Sequence, residues 1–347
     1  MAIFNSAVLR QGALYFSQSE QQYCFRLNNI CIRKINSPSL LADYFMWFKN
    51  LKLYAITQDM DFKEQDFEEK LAEFKFRPCG SQELATMGWA SPFNQGETLI
   101  HATAGRIWLT LKKQERILPA VVVNAELADK VALIETETGS PVGKKAQQDM
   151  KQEIIHRLLP QAFTKNSYTH GFISTKDHLV VVDSSADGKA EAFLAMLRKA
   201  IGSLPVVPLA RHSVQADLTS WLKDDSAPTD ISVLEEAELK ALEEDGAIIR
   251  CKNQDLYSEE IKHHLEAGKS VQKIAVEWSE TLTAIIQEDL SIKRLKFTDV
   301  IKEQNDDIPK DQMLARLDAN FALMSGEVVR FAKRLKEIFN LDDEKVS

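Results

Sequence analysis

The chain is poor in cysteine, in histidine and in uninterrupted apolar sequence, and each shortage removes a class of function. Its four cysteines, Cys24, Cys31, Cys79 and Cys251, are too few and too scattered to staple a fold of 347 residues. Six residues lie between Cys24 and Cys31 and neither has a histidine beside it, which is not a zinc-knuckle spacing, so all four read as free thiols. The seven histidines (His101, His156, His170, His178, His212, His263 and His264) include no H-E-x-x-H pair. Adjacent side chains such as His263 and His264 point about 100° apart on a helix and cannot readily chelate one ion. No metal or cofactor is expected. No stretch approaches the roughly 20 apolar residues that cross a bilayer. The first twenty residues carry Arg10 inside their weakly apolar run and show no clear small-residue cleavage site, so a cytoplasmic location without a membrane partner is expected.

Phosphate-loop chemistry is also missing. Gly139 to Lys145 (GSPVGKK) has three residues between its glycines and a lysine where serine or threonine belongs. Gly268-Lys269-Ser270 has His263 in place of the first glycine. No Ser/His/Asp or paired-carboxylate constellation can be named from spacing, because such partners meet only in the fold.

What the chain does have is core-forming material and strongly partitioned charge. At 44% hydrophobic and 27% charged over 347 residues, it exceeds the size at which one core keeps growing, and two or three domains are expected. The net charge of −8 argues against nucleic acid only if the charges are mixed. They are not. Glu235, Glu236, Glu238, Glu243, Glu244 and Asp245 crowd one segment, while Lys112, Lys113 and Arg116, then Lys144 and Lys145, then Lys293, Arg294 and Lys296 crowd others. DNA feels the local potential within a Debye length of roughly 8 Å, not the net charge.

Periodicity places the elements. Trp47 to Ile56 reads as a strand, and Phe67, Leu71 and Phe74 mark one stripe of a following helix. Leu99 to Ile117 reads as a hairpin turning at Ala104-Gly105, with Ile107, Leu109 and Leu111 alternating against polar neighbours. Two helices, Ala120 to Glu137 and Lys144 to Leu159, flank the Gly139-Ser140-Pro141 break and form an insertion expected to project from the sheet body. A second set of similar elements follows: a hairpin from Gly171 to Asp183 turning at Lys176-Asp177, a helix carrying Phe193, Leu194, Leu197 and Ile201, and an extended Leu204 to Leu209. The last region predicts an acidic helix at Val233 to Glu244, a helix at Ser258 to Ala267, strands at Lys269 to Trp278, Thr281 to Gln287 and Ser291 to Phe297, and helix around Gln312 to Phe339. The class is α+β, with antiparallel sheets in a multi-domain chain. The expected division is residues 46–119 with 164–208 as a central sheet and helix domain, 120–163 as the helical tip, and 209–347 as the C-terminal base.

Several segments together resemble a known family. FRPCGSQELATMGWASP (Phe76 to Pro92), MWFKNLKLY (Met46 to Tyr54), LRKAIGSLPVVPL (Leu197 to Leu209), EEAELKALEEDGAIIRCKNQDLYSEEI (Glu235 to Ile261), SIKRLKF (Ser291 to Phe297) and DANFALMSGE (Asp318 to Glu327) resemble the recombination-associated RdgC proteins of bacteria. The resemblance runs from about Met46 to the C-terminus. The first 45 residues stand outside it, either as a lineage-specific extension or, the preferred reading, because the frame begins upstream of the true initiator; little of the fold is expected to depend on them.

The resemblance implies a protein without an active site. Such proteins bind duplex DNA with little sequence preference, close into ring-shaped homodimers around it and restrain the RecA recombinase, which would make this chain nucleoid-associated; single-stranded DNA is a further candidate ligand. The expected DNA contacts are Lys112, Lys113, Arg116, Lys144, Lys145, Arg250, Lys252, Gln254, Lys293, Arg294 and Lys296. On a regular strand Lys293, Leu295 and Phe297 would face one way and Arg294 and Lys296 the other. Family members often carry a basic residue before Gln254; here Asn253 stands there, with Lys252 beside it to supply the charge. They are also richly basic between the two tip helices, where this chain has Gly139 to Gly143, so contact there is expected to be weaker and more salt-sensitive. LLPQAF (Leu158 to Phe163) matches a segment whose aromatic joins a subunit contact, making Phe163 the interface candidate, against ordinary core packing. The rival functions are an adaptor that touches RecA or another recombination protein directly, and a nuclease, which would need carboxylates around Mg²⁺.

Overall fold

The computed structural model describes residues 24–27, 30–33, 47–60, 63–93, 98–243, 246–309 and 311–341, and the chain is α+β around a large antiparallel sheet. In chain order the strands and helices are β1 (Cys24–Leu27), β2 (Ile30–Arg33), β3 (Leu51–Ile56), α1 (Glu64–Ala72), β4 (Ala85–Ala90), β5 (Ile100–Thr103), β6 (Arg106–Ile117), α2 (Ala120–Thr138) and α3 (Lys144–Leu158). They continue with β7 (Phe163–Ser174), β8 (Leu179–Asp183), α4 (Asp187–Ile201), β9 (Val206–Pro208), α5 (Gln215–Lys223), β10 (Ile231–Ala241), β11 (Ile248–Lys252), α6 (Glu259–Glu266), β12 (Lys269–Trp278), β13 (Leu282–Gln287), β14 (Ile292–Phe297), α7 (Asp299–Lys302) and α8 (Met313–Ile338).

Two compact units share the chain. One comprises Met1–Trp47 with Asp299–Leu323, and holds the short antiparallel pair β1 and β2, α7, and the first part of α8, where Arg316 pairs with Asp306 at 2.7 Å. The expectation that little of the fold depends on the first 45 residues falls largely outside the described residues. The other, Phe48–Thr298 with Met324–Ser347, contains a 12-stranded sheet whose main order is β11-β10-β12-β13-β14-β3-β8-β7-β6-β4, with β5 on β6 and β9 on β3.

The half of that sheet from β3 to β4 follows from the alternation in β6. Ala104 and Gly105 both have positive φ, 50° and 74°, as a two-residue hairpin turn requires. Ile107, Leu109 and Leu111 then point into a core with Ile173, Val180 and Val182, roofed by Phe67 and Leu71 of α1 and Phe193, Leu194 and Leu197 of α4. Trp89 of β4 meets Phe193 edge to face with centroids 5.3 Å apart. The opposite face of the same strands buries Trp108, Thr110, Phe172 and Val181, with His170 half-buried beside them.

The segment richest in turn-forming residues explains itself at Gly88. Phe74–Phe76 runs against β4, with Phe76 N–H donating to Trp89 C=O at 2.8 Å and Trp89 N–H donating to Phe74 C=O at 2.9 Å. A Cβ on Gly88 would stand 2.5 Å from Phe76 Cα, so only glycine lets the two backbones approach.

Four expectations are corrected. The acidic stretch from Val233 is strand β10 rather than helix; Glu244 and Asp245 lie outside the described residues. Its helix-forming Glu, Ala and Leu residues are overridden because Ala237 and Leu239 are buried and the strand is laddered on both sides, to β11 and β12. In β14 the strict alternation fails at a bulge: Thr283 faces Lys296 and Ile285 faces Lys293, and Arg294 has φ 51°. Lys293 therefore parts from Leu295 and Phe297, which are buried. Phe74 also falls beyond the end of α1, and β7 begins at Phe163, eight residues before the expected hairpin strand at Gly171.

Two outcomes test this account. Gly88→Ala should lower the denaturation midpoint by the equivalent of at least about 2 kcal/mol, because the clash is with main chain that cannot rotate away; an unchanged urea midpoint would contradict the close approach. His170 Nδ1 lies 2.9 Å from Thr110 Oγ1, and burial pushes its pKa down to about 4 from 6.5. The unfolded chain thus binds the proton more readily, so this contribution is fully present above pH 6.5 and is lost as pH falls toward 4, on the order of 3 kcal/mol in all. Urea titrations between pH 7.5 and 4.5 should show that slope in the parent and a shallower one in His170→Phe.

Candidate nucleic-acid interface

Register, followed strand by strand, assembles the C-terminal cations. Ile274, Val276 and Trp278 of β12 pair with Ile286, Ala284 and Leu282 of β13 on the buried face, and Ile292 and Phe297 continue it on β14. The residues between them must point the other way. Lys273 sits opposite Gln287, Ala275 opposite Ile285 and Glu277 opposite Thr283; Ile285 and Thr283 in turn oppose Lys293 and Lys296. On the far side, Glu238 opposes Lys273 and Arg250, and Glu236 opposes Lys252. Arg250, Lys252, Lys273, Lys293 and Lys296 therefore share one open sheet face with Glu236, Glu238 and Glu277, and the Arg294 guanidinium is delivered to it by its ion pair with Glu236.

Ion pairing divides these cations. Arg250 Nε and Lys273 Nζ each lie 2.8 Å from one oxygen of Glu238. Burial pushes the Glu238 pKa up, but the hydrogen bonds from Lys273 and Arg250 outweigh it and hold the carboxyl below its ordinary range. Arg294 is taken by Glu236. Lys252, Lys293 and Lys296 have no ion pair among the described residues. Gln254, just past β11, donates to Ser258 Oγ at 3.3 Å while its backbone N–H donates to Glu235 C=O. Asn253 before it has φ 50°. Lys273 escapes a reading of the sequence because a lone lysine between Gln272 and Ile274 looks like an incidental polar position; its alternation with Ile274 and Val276 along the strand is the available signal.

The remaining predicted contacts lie elsewhere. Three strands, β3, β8 and β7, separate β14 from β6. Along β6, Lys112 and Arg116 face opposite to Lys113. Lys112 lies over the Phe76 ring at 4.3 Å and the Tyr168 ring at 5.6 Å. Lys113 pairs with Glu115 at 2.8 Å. Arg116 is committed to main-chain oxygens: Nη1 donates to Leu159 and Ala162 at 3.1 and 3.2 Å, and Nη2 donates to Gly80 at 3.1 Å. Lys144 and Lys145 are exposed in the first turn of α3, where the helix dipole repels them and an anion would be favoured.

A second locus is apolar. Phe163 is 85% exposed at the start of β7, opposite Ile117, which is itself 47% exposed. Leu84, whose carbonyl accepts from Arg116 N–H, and Val121 at the start of α2 are exposed as well. Core packing of Phe163 within one chain is thereby set aside.

A family profile described as "Putative exonuclease, RdgC" matches residues 46–342. The chain is 73% identical over 300 residues to the "Recombination-associated protein RdgC" of Pseudoalteromonas atlantica, covering 86% of this chain and 100% of that one. Proteins of the same name match from Colwellia psychrerythraea (46% over 299 residues, 85% of this chain and 97% of the relative) and from Aeromonas hydrophila (44% over 292 residues, 84% and 96%). Descriptions aside, the coverage spans almost all of each relative, and the chain belongs to the RdgC family.

Proposed function

We propose that this protein binds duplex DNA through its phosphates, with little sequence preference and without cleaving it, as a homodimer that closes around the duplex. The observation that carries the reading is the convergence of Lys252, Lys293 and Lys296, all without an ion pair among the described residues, on one open sheet face. Cations and amides on a strand surface hold phosphates and sugars and leave base edges unread. The relatives' name supplies the recombination context, and enclosing DNA is a physical means of restraining RecA, by occupying the duplex on which a filament acts. Residues 120–163 would form the tip, 46–119 with 164–208 the centre and 209–347 the base. Closing a two-fold ring takes two interfaces, each self-complementary. Phe163 and its apolar neighbours are the proposed tip contact. Lys144 and Lys145 add phosphate contacts there, whereas Arg116 serves the fold. Association with the nucleoid follows from DNA binding.

Nuclease activity is the second reading, and the family's own description favours it. Two of the carboxylates on the cationic face, Glu236 and Glu238, are engaged by Arg294, Arg250 and Lys273, an arrangement suited to anions rather than to Mg²⁺. Release of nucleotides from labelled DNA in Mg²⁺, lost on chelation, would establish that reading instead.

Two measurements test the proposal. Replacing Lys252, Lys293 and Lys296 by alanine removes up to three phosphate contacts, and should flatten the plot of log K against log salt by up to about 0.9 per contact. Titrations of a labelled duplex at several salt concentrations read this directly; a parental slope and affinity would remove the face from the DNA path. Phe163→Ser should shift the protein from dimer to monomer in sedimentation while its thermal melt changes by no more than about 0.5 kcal/mol equivalent, as for other exposed sites. An unchanged dimer would place the subunit contact elsewhere.

A further inference from the structure

The cationic face carries its own competing anions, and two backbone irregularities bring them there. In β10 the ladder to β12 breaks between Val233 and Ala237, lifting Glu235 and Glu236 out of register. In β14 the bulge puts Arg294 at φ 51°, a conformation that disfavours side-chain-bearing residues. Strands β12 and β13 lie between the two, yet the two bulged side chains meet: Arg294 Nη2 donates to Glu236 Oε1. Next to them Glu238 spreads one oxygen to Arg250 and the other to Lys273. Leu239, Leu295 and Phe297 stay buried on the opposite face, so the core is completed without this ion-pair row. Bulges re-aim side chains, and here both re-aim toward one charge contact.

A carboxylate presents two oxygens to a guanidinium much as a phosphate does. Ion pairs between partly exposed side chains are weak, so a polyanion of high charge density can displace them. Building on the reading that DNA lies on this face, we infer that Glu236 and Glu238 are internal phosphate surrogates that restrain the affinity of the face: they neutralise Arg294, Arg250 and Lys273 in the free protein, and DNA must exchange its phosphates for them. Lys252, Lys293 and Lys296 make the first contacts, and the paired cations add to binding only as their carboxylates let go. The carboxylates thus keep the protein weakly held and readily removable from DNA.

The test is Glu236→Gln/Glu238→Gln, titrated with a labelled duplex of arbitrary sequence at several salt concentrations beside the parent and the Lys252, Lys293 and Lys296 alanine variant. Glutamine keeps the shape and an acceptor while removing the charge. Binding should tighten by up to about eight-fold at 0.1 M salt for each cation freed, with the salt slope steeper by up to about 0.9. Glu236→Gln alone is the second variant should the double substitution unfold the protein, because that side chain is 32% exposed. If the glutamine variants bind as the parent does, or more weakly, while the alanine variant still loses affinity, the surrogate role is overturned and the DNA face stands. If the alanine variant also binds like the parent, the face itself is wrong and both readings fall.

Discussion

The larger unit depends on one helix segment spanning a weak seam. Between β14 and β3 the sheet continues through a single registered pair among the described residues, Ile292 opposite Leu51, supported by Leu295 N–H donating to Lys49 C=O at 2.8 Å. A junction that short would flex on its own. The part of α8 from Met324 onward stitches both sides of it. Lys333 pairs with Asp177 in the β7–β8 turn at 2.6 Å, Phe331 packs on Trp278 of β12 with centroids 5.2 Å apart, and Arg334 holds Asp230 through two bonds of 2.8 Å. The Arg334 guanidinium and then the Trp278 indole N–H keep the Asp230 pKa down at about 2, so the clasp is charged at neutral pH. Positions of side chains on the two half-sheets are therefore fixed by a common brace.

Charge is organised by register more than by composition. The chain carries more acids than bases, and β10 holds a dense run of them, yet the same strand belongs to the sheet face that carries Arg250, Lys252, Lys273, Lys293 and Lys296. Glu238 meets Arg250 and Lys273 across the ladder and Glu236 takes Arg294, which leaves Lys252, Lys293 and Lys296 without an ion pair among the described residues. A net charge summed over the chain would point away from DNA. The potential at the sheet surface depends instead on which residues sit opposite which.

Much of the fold was legible because it rests on local periodicity. The strands β12, β13 and β14, the turn at Ala104-Gly105 and the two insertion helices all lie within a residue or two of their expected limits. The strand β10 was not legible: Glu, Ala and Leu favour a helix locally, and only pairing with strands distant in the sequence decides otherwise. The candidate site was half legible. Lysines and arginines announce themselves, but their use depends on partners. Arg250 and Arg294 turn out to be paired, Lys112 rests on aromatic rings, and the bulge that redirects Arg294 leaves no mark in the alternation of SIKRLKF.

Arg116 shows how misleading a basic residue can be when sorted by charge. Its acceptors are all main-chain carbonyls, at Gly80 on one side and at Leu159, Pro160 and Ala162 on the other. The guanidinium thus fastens the loop before β4 to the chain just after α3, where the two-helix excursion rejoins the sheet. Carbonyls accept from any donor of the right shape whatever its charge, but this span needs a planar fork reaching in two directions, which the single ammonium of a lysine does not offer. Position 116 is in effect a rivet at the root of the helical hairpin, selected for its geometry rather than its sign, and the aim of that hairpin is set from the opposite end of the sheet to the cations that face the solvent.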